Sequence, residues 1–193
     1  MTDIFPFLAF FTFILLQRMV ELLIASRNEK WMKKHGAIEF GTRHYHYMVW
    51  MHLLFFTSIF CEKYYLNREL SPYWLMLLVL FLGAQVVRIW AISSLGKYWN
   101  TKIIVLPNAE VIRRGPYRYI KHPNYFVVSI EFVVIPLMFN AFGSVVLFTF
   151  LNVWMLSIRI PEEENALRKL TEYEGAFHNC HRFNPIMLNK CDR

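Results

Sequence analysis

The 193-residue sequence predicts an all-α integral membrane protein with five transmembrane helices, the last two a hairpin, followed by a cytoplasmic C-terminal helix. Three observations lead there. Apolar residues make up 56% of the chain and aromatics 18%, more than a soluble domain of this length needs. Nearly uncharged runs occupy about 4–24, 45–61, 72–92 and 123–160, the last interrupted at Asn140-Ala141-Phe142-Gly143. Because about 20 apolar residues cross a bilayer, the first three runs are single spans and the fourth is a pair. Basic residues, finally, crowd onto alternate connections. Segment 25–44 carries Arg27, Lys30, Lys33, Lys34 and Arg43 against two acids, and segment 93–122 carries six basic residues against Glu110 alone, while 62–71 is balanced. The positive-inside rule then puts the N-terminus outside and the C-terminus in the cytoplasm, in the plasma membrane. The net charge of +7 is explained by this orientation and by attraction to anionic headgroups, with no nucleic-acid partner. The chain reads as one domain, 1–92 supplying three helices and 93–193 the loop, hairpin and C-terminal helix.

The first span carries Asp3, has no basic leader and shows no small-residue cleavage site, so it reads as a retained anchor and not a signal peptide. Its Arg18 and Glu21 share a face and read as snorkelling near the cytoplasmic interface. Residues 26–34, with Trp31 and Met32, read as a basic segment lying on the membrane surface, and Phe40-Gly41-Thr42 breaks the pattern before the second span. That span holds His46 and His52 among Tyr45, Tyr47, Trp50, Phe55, Phe56 and Phe60. An aromatic belt and packed core account for most of these; for either histidine, lining a cavity is the alternative. Gln85 and Arg88 close the third span, Arg88 either snorkelling or pairing with an acid on another helix.

In the hairpin, Glu131 and Asn152 lie at similar distances from the turn and are placed facing each other or the bundle interior. An intramembrane carboxylate needs a partner, and Arg88 or Arg18 can supply it; Glu131 is assigned to packing. Pro161 kinks the chain where the hairpin ends. Glu162, Glu163 and Glu164 then complement the dipole of a C-terminal helix, whose Leu167, Leu170, Tyr173 and Phe177 form an apolar stripe. Cys61, Cys180 and Cys191 form no disulfide framework, and Cys191, third from the end, is not a prenylation box. His178-Asn179-Cys180-His181 lacks a second ligand cluster for a metal.

The long connection 93–122 is punctuated by Gly96, Pro107, Gly115 and Pro116 and should hold little regular helix. It ends in Gly115-Pro116-Tyr117-Arg118-Tyr119-Ile120-Lys121-His122-Pro123-Asn124-Tyr125, a polar and aromatic island that reads as a site. Pro123 can open a helix, whose free amides and positive dipole end suit a carboxylate or phosphate. The hairpin returns Arg159 and Glu163 to the membrane face where His122 and Tyr125 begin it, so two polar clusters distant in sequence converge.

Gly115-x-Tyr117, then Lys121-His122-Pro123-x-Tyr125, then a hairpin closed by Arg159-x-x-x-Glu163-Glu164-x-x-Leu167 resembles the isoprenylcysteine carboxyl methyltransferases, nearest to their short bacterial members such as alkylpyrone O-methyltransferases. The resemblance covers about 95–175. It implies transfer of a methyl group from S-adenosylmethionine, leaving S-adenosylhomocysteine, to an acceptor on a lipophilic molecule, and a cofactor-binding loop. By the same resemblance Tyr117, His122, Pro123, Asn124, Tyr125 and Glu163 bind the cofactor, with backbone near Glu110, Val111 and Ile112, and Arg159 faces the acceptor. The methyl donor is already activated, so alignment in a water-poor pocket is what the protein must add, without metal or nucleophile. Two departures stand out: Lys121 replaces the family's usual Arg before His-Pro, and Ala109-Glu110-Val111-Ile112 lacks the histidine of the eukaryotic cofactor loop. The favoured acceptor is a long-chain phenolic or enolic lipid, such as a polyketide alkylpyrone, or else a carboxylate. The alternatives are phospholipid or amine N-methylation, an NADPH-dependent reductase of the sterol type, and a non-enzymatic lipid-binding or transport protein. Transport is disfavoured by the few polar residues in the spans and the absence of an inverted repeat.

Overall fold

The computed structural model describes residues 4–173. Five helices dominate: α1 (Ile4–Lys34), α2 (Thr42–Tyr65), α3 (Trp74–Leu95), α4 (Pro123–Met138) and α5 (Phe142–Leu170). Two three-residue strands, β1 (Ile38–Phe40) and β2 (Ile103–Val105), pair antiparallel, Ile38 opposite Val105 and Phe40 opposite Ile103. Among the described residues this ribbon is the only strand structure in an otherwise helical fold. β2 rests on Ala166 of α5, with Phe40, Leu167 and Leu170 packed around it, so the predicted stripe on 167–170 covers the loop; Phe177 and the His178–His181 cluster lie outside the described residues.

Helix ends follow the breakers. Gly41 at φ +62° precedes α2, Asn140 at φ +52° makes the hairpin turn, and Pro123 occupies the first turn of α4, where its missing N–H costs nothing. Phe55, Phe81, Phe132 and Phe148 fill the bundle interior, with Phe55 and Phe132 edge to face at 4.5 Å between centroids. The outer surface is just as apolar. Phe81 of α3 and Phe148 of α5 are 1% and 2% exposed, yet Ile89 and Phe150 on the same helices are 67% and 70% exposed. Such a surface suits lipid and not water. α1, α3 and α5 are each long and apolar enough to cross a membrane; α4 is apolar but has only 16 residues.

Two elements differ from the expectation. The segment 26–34 does not lie on a surface: it is the last third of an unbroken α1. There Asn28 Nδ2 donates to the carbonyls of Gly96 (3.0 Å) and Trp99 (2.7 Å), and Asn100 Nδ2 donates to that of Ala25 (3.2 Å). These bonds hold the extension upright against the loop, an attraction between distant segments that local charge did not reveal. The C-terminal helix is not separate either, because α5 runs through Pro161 to Leu170. A proline costs the ladder one donor, and the packing of Ile160, Glu164 and Ala166, all buried, keeps the helix going.

Arg18 does not snorkel. Arg18 and Glu21 of α1, Gln85 and Arg88 of α3, and Glu131 of α4 form one charge-balanced network inside the bundle. Arg88 donates to Glu131 (2.6 Å) and Glu21 (3.1 Å), Gln85 donates to Glu131 (2.8 Å), and Arg18 donates to Glu21 (2.7 Å) and to Glu131. Of the two partners anticipated for Glu131, both are used. Asn152 is not among them; it donates to Ser129 Oγ at 3.0 Å.

Candidate functional site

Two cavities adjoin where the connection 96–125 meets the ends of α1, α4 and α5. The outer is walled by Ile103–Leu106, Glu110, Val111, Ile112 and Leu167. The inner, deeper in the bundle, is walled by Met48, Met51, His52, Pro123, Asn124, Tyr125, Asn152 and Arg159, with Arg18 and Glu21. Tyr117, Lys121, His122 and Glu163 line both. Every residue to which the resemblance gave a role therefore lies on this pair: Glu110, Val111 and Ile112 on the outer, Pro123, Asn124, Tyr125 and Arg159 on the inner, and Tyr117, His122 and Glu163 at the junction; of the two histidines of α2, His52 lines the inner cavity and His46 neither.

The junction is held by a chain of hydrogen bonds. Arg159 Nε donates to the Tyr125 hydroxyl at 3.0 Å, and that hydroxyl donates to Glu163 Oε2. Arg159 Nη2 donates to the Thr101 carbonyl, which leaves Nη1 without a protein partner among the described residues. The His122 and Tyr125 rings stack at 5.4 Å. His122 Nε2 lies 3.2 Å from Glu164 Oε1; a carboxylate only accepts, so the ring carries its proton there, and its Nδ1, 4.0 Å from Glu163, is too far to bond. Glu164 is the residue the sequence reading passed over. It is 2% exposed and sets the His122 ring, whereas Glu163, one position before it, keeps nearly a third of its side chain exposed. Burial, then the Glu163 carboxylate, pushes the Tyr117 phenol above its ordinary range, so that it stays neutral.

The loop reaches this geometry through Gly115, at φ +61°. A Cβ there would sit 2.0 Å from Ser94 Oγ, so only glycine allows the chain to pass α3. Beyond it, Pro116 and Tyr117 lie in a single 3-10 turn (Gly115–Arg118) and are buried. Lys102, at the rim of both cavities, is held above its usual pKa by a hydrogen bond to Glu29, tying α1 to the loop once more.

These residues fit S-adenosylmethionine. The outer cavity offers apolar walls, β2 and Val111-Ile112, to a planar ring, and the junction offers the partly exposed carboxylate of Glu163 to a cationic amino group. The first turn of α4 takes no side-chain cap, so its amides remain available to a carboxylate. Trp99 Nε1, in the inner wall, is a buried donor without a partner among the described residues.

A helical bundle with an apolar outer surface, three helices long and apolar enough to cross a membrane, and two adjoining cavities at one end defines an integral membrane protein. The chain belongs to the isoprenylcysteine carboxyl methyltransferase family, whose sequence profile matches residues 74–169, and is thus a membrane methyltransferase. It is similar to YpbQ, an uncharacterized protein of Bacillus subtilis, at 46% identity over 156 residues, covering 81% of this chain and 93% of that one. An uncharacterized protein of Haemophilus influenzae is 28% identical over 161 residues, covering 83% of this chain and 94% of its own. No solved structure matches the chain.

Proposed function

We propose that the protein transfers a methyl group from S-adenosylmethionine to the oxygen of a long-chain phenolic or enolic lipid, such as an alkylpyrone. The carrying observation is the shared wall: Tyr117, His122 and Glu163 border both cavities, so a donor in the outer one meets an acceptor in the inner one. When bound, S-adenosylmethionine supplies a methyl group activated by its sulfonium. The protein's part is to hold donor and acceptor in line and to keep water out. Glu163 binds the donor's cationic end, the α4 amides its carboxylate, and Ile103–Leu106 with Val111 and Ile112 its apolar ring. Arg159, buried at 4% exposure and fixed through Nε and Nη2, offers Nη1 to the acceptor oxygen. An apolar groove between α4 and α5, lined by Phe126, Val153 and Ile160, shares Leu156 with the inner cavity and suits an alkyl tail lying in the bilayer. The basic loop end faces the cytoplasm by the charge rule, where the water-soluble donor is found.

Calorimetry with S-adenosylhomocysteine and with NADPH tests the reading. Binding of the former and not the latter is expected, and Glu163→Gln should weaken it roughly ten- to a hundredfold, the loss of one charge-assisted hydrogen bond. Binding of NADPH alone would overturn the proposal in favour of a reductase.

A further inference from the structure

The inner cavity contains a base that the roles assigned so far do not use. On α2, Met48, Met51 and His52 share one face and line the cavity, outside the stretch matched by the family profile. His52 Nδ1 lies 2.8 Å from the Met48 carbonyl. A carbonyl only accepts, so the proton sits on Nδ1 and the lone pair on Nε2. The ring is also fixed against Phe132, 5.1 Å between centroids. Nε2 meets no protein partner among the described residues. It is not one of the sealed, unpartnered polar atoms either, a set that nearby includes the Nε atoms of Arg18 and Arg88. A histidine held in one tautomer, with its free nitrogen open on a cavity that also holds Arg159, is arranged to take a proton from a ligand.

We propose that His52 is the general base of the reaction and that the acceptor therefore binds as a neutral hydroxyl, phenol-like, instead of as a carboxylate that needs no base. The inference rests on the methyltransferase reading above. The acceptor O–H proton passes to His52 Nε2. The oxygen's electron pair forms the C–O bond, the methyl C–S bond breaks, and its pair returns to sulfur as a neutral thioether. One positive charge leaves the sulfonium and one appears on the imidazole, so the site's net charge is unchanged through the step. Arg159 Nη1 stabilises the negative charge that builds on oxygen. The imidazolium then loses its proton to water as product leaves. The charged and titratable groups that face this part of the cavity are Arg18 and Glu21 on α1, Glu131 on α4, Arg159 and Glu163 on α5, and Lys102, Lys121 and His122 on the loop.

The test uses full-length protein in liposomes, tritiated S-adenosylmethionine, and two acceptors: a pentadecyl-substituted phenol and palmitate. Wild type should methylate the phenol at neutral pH and palmitate poorly. His52→Gln should lower kcat for the phenol at pH 7 by about a hundredfold or more with unchanged affinity for S-adenosylhomocysteine. Its rate should then climb about tenfold per pH unit towards pH 10, where the phenol ionises unaided, and imidazole should restore His52→Ala. A rate unchanged by the substitution, or a loss that is the same at every pH, overturns the base. Preference for palmitate, or no transfer to the phenol by wild type that binds S-adenosylhomocysteine, overturns the acceptor class; absence of that binding overturns the underlying methyltransferase reading instead. Should His52→Gln fail to fold, wild type decides: a rate already flat by neutral pH supports His52, and one tracking phenol ionisation to pH 10 overturns it.

Discussion

Tyr125 has three connections: its hydroxyl accepts from Arg159, donates to Glu163, and its ring lies on His122. Tyr125→Phe keeps the stack and removes both bonds, leaving a buried guanidinium N–H unpaired at a cost of about 1–3 kcal/mol. The expected result is a lower thermal midpoint together with weaker S-adenosylhomocysteine binding, since Glu163 loses the group that aims it; a drop in only the midpoint would separate Tyr125 from the cofactor. Gly115→Ala meets two penalties, about 1–2 kcal/mol for a left-handed L-residue and the overlap with Ser94. Combining it with Ser94→Ala should recover part of the midpoint and never all of it, because the backbone penalty stays. The residues of 115–125 were readable beforehand because two prolines and a glycine fix the chain around groups whose chemistry is unambiguous. The resemblance picked Glu163, which lines both cavities; that Glu164 turns to the His122 ring was not readable. Neighbouring positions on a helix point about 100° apart, and the phase depends on how α5 packs. Arg18 was misread for a related reason: a snorkelling arginine and a paired one look the same until another helix brings Glu131 alongside.

Among elements, α1, α3 and α4 are joined by two arginines and two glutamates whose charges cancel. Removing one member of a buried pair typically costs 3–5 kcal/mol, because its partner is left uncompensated. Arg88, 1% exposed and bonded to both acids, should therefore be the most sensitive position. Arg88→Met should cost at least as much as Glu131→Gln by unfolding in detergent, and the double variant should cost less than the sum. Additive losses would mean that the two residues stabilise the bundle separately. The network also backs the inner cavity, since Arg18 and Glu21 belong to both, so the cavity end of the bundle is braced in part by α1 and α3, which carry none of the recognisable motifs. The five apolar helices and their order were legible from run lengths, whereas the separate C-terminal helix expected after Pro161 is the continuation of α5. The ribbon β1–β2 was not, because three-residue strands carry no periodic signal and their pairing joins segments about 65 residues apart.

Across the whole molecule, helix lengths place the site in depth. At 1.5 Å per residue, α1 and α5 are about 46 and 44 Å long and α4 about 24 Å, against a hydrocarbon core of about 30 Å. The three are level at the far end, where Phe7 of α1 packs edge to face on Phe139 at 4.8 Å just beyond α4. The excess of α1 and α5 is thus all at the loop end, where it carries the ribbon and the outer cavity. At about 24 Å α4 is shorter than the core, so its start, with His122 and Tyr125, lies short of the loop ends of α1 and α5, the depth that the proposed reaction needs between an acceptor in the bilayer and a donor in water. Which compartment that water belongs to follows from charge: the loop end bears the basic excess, so it should be cytoplasmic. In a chain whose native cysteines are replaced by serine, Glu69→Cys, at the far end, should react with an impermeant maleimide on intact cells. Lys97→Cys, at the loop end, should react only after permeabilisation; both positions are exposed. The opposite pattern would put the site outside, away from any supply of S-adenosylmethionine, and would count against the assigned chemistry as well as the orientation.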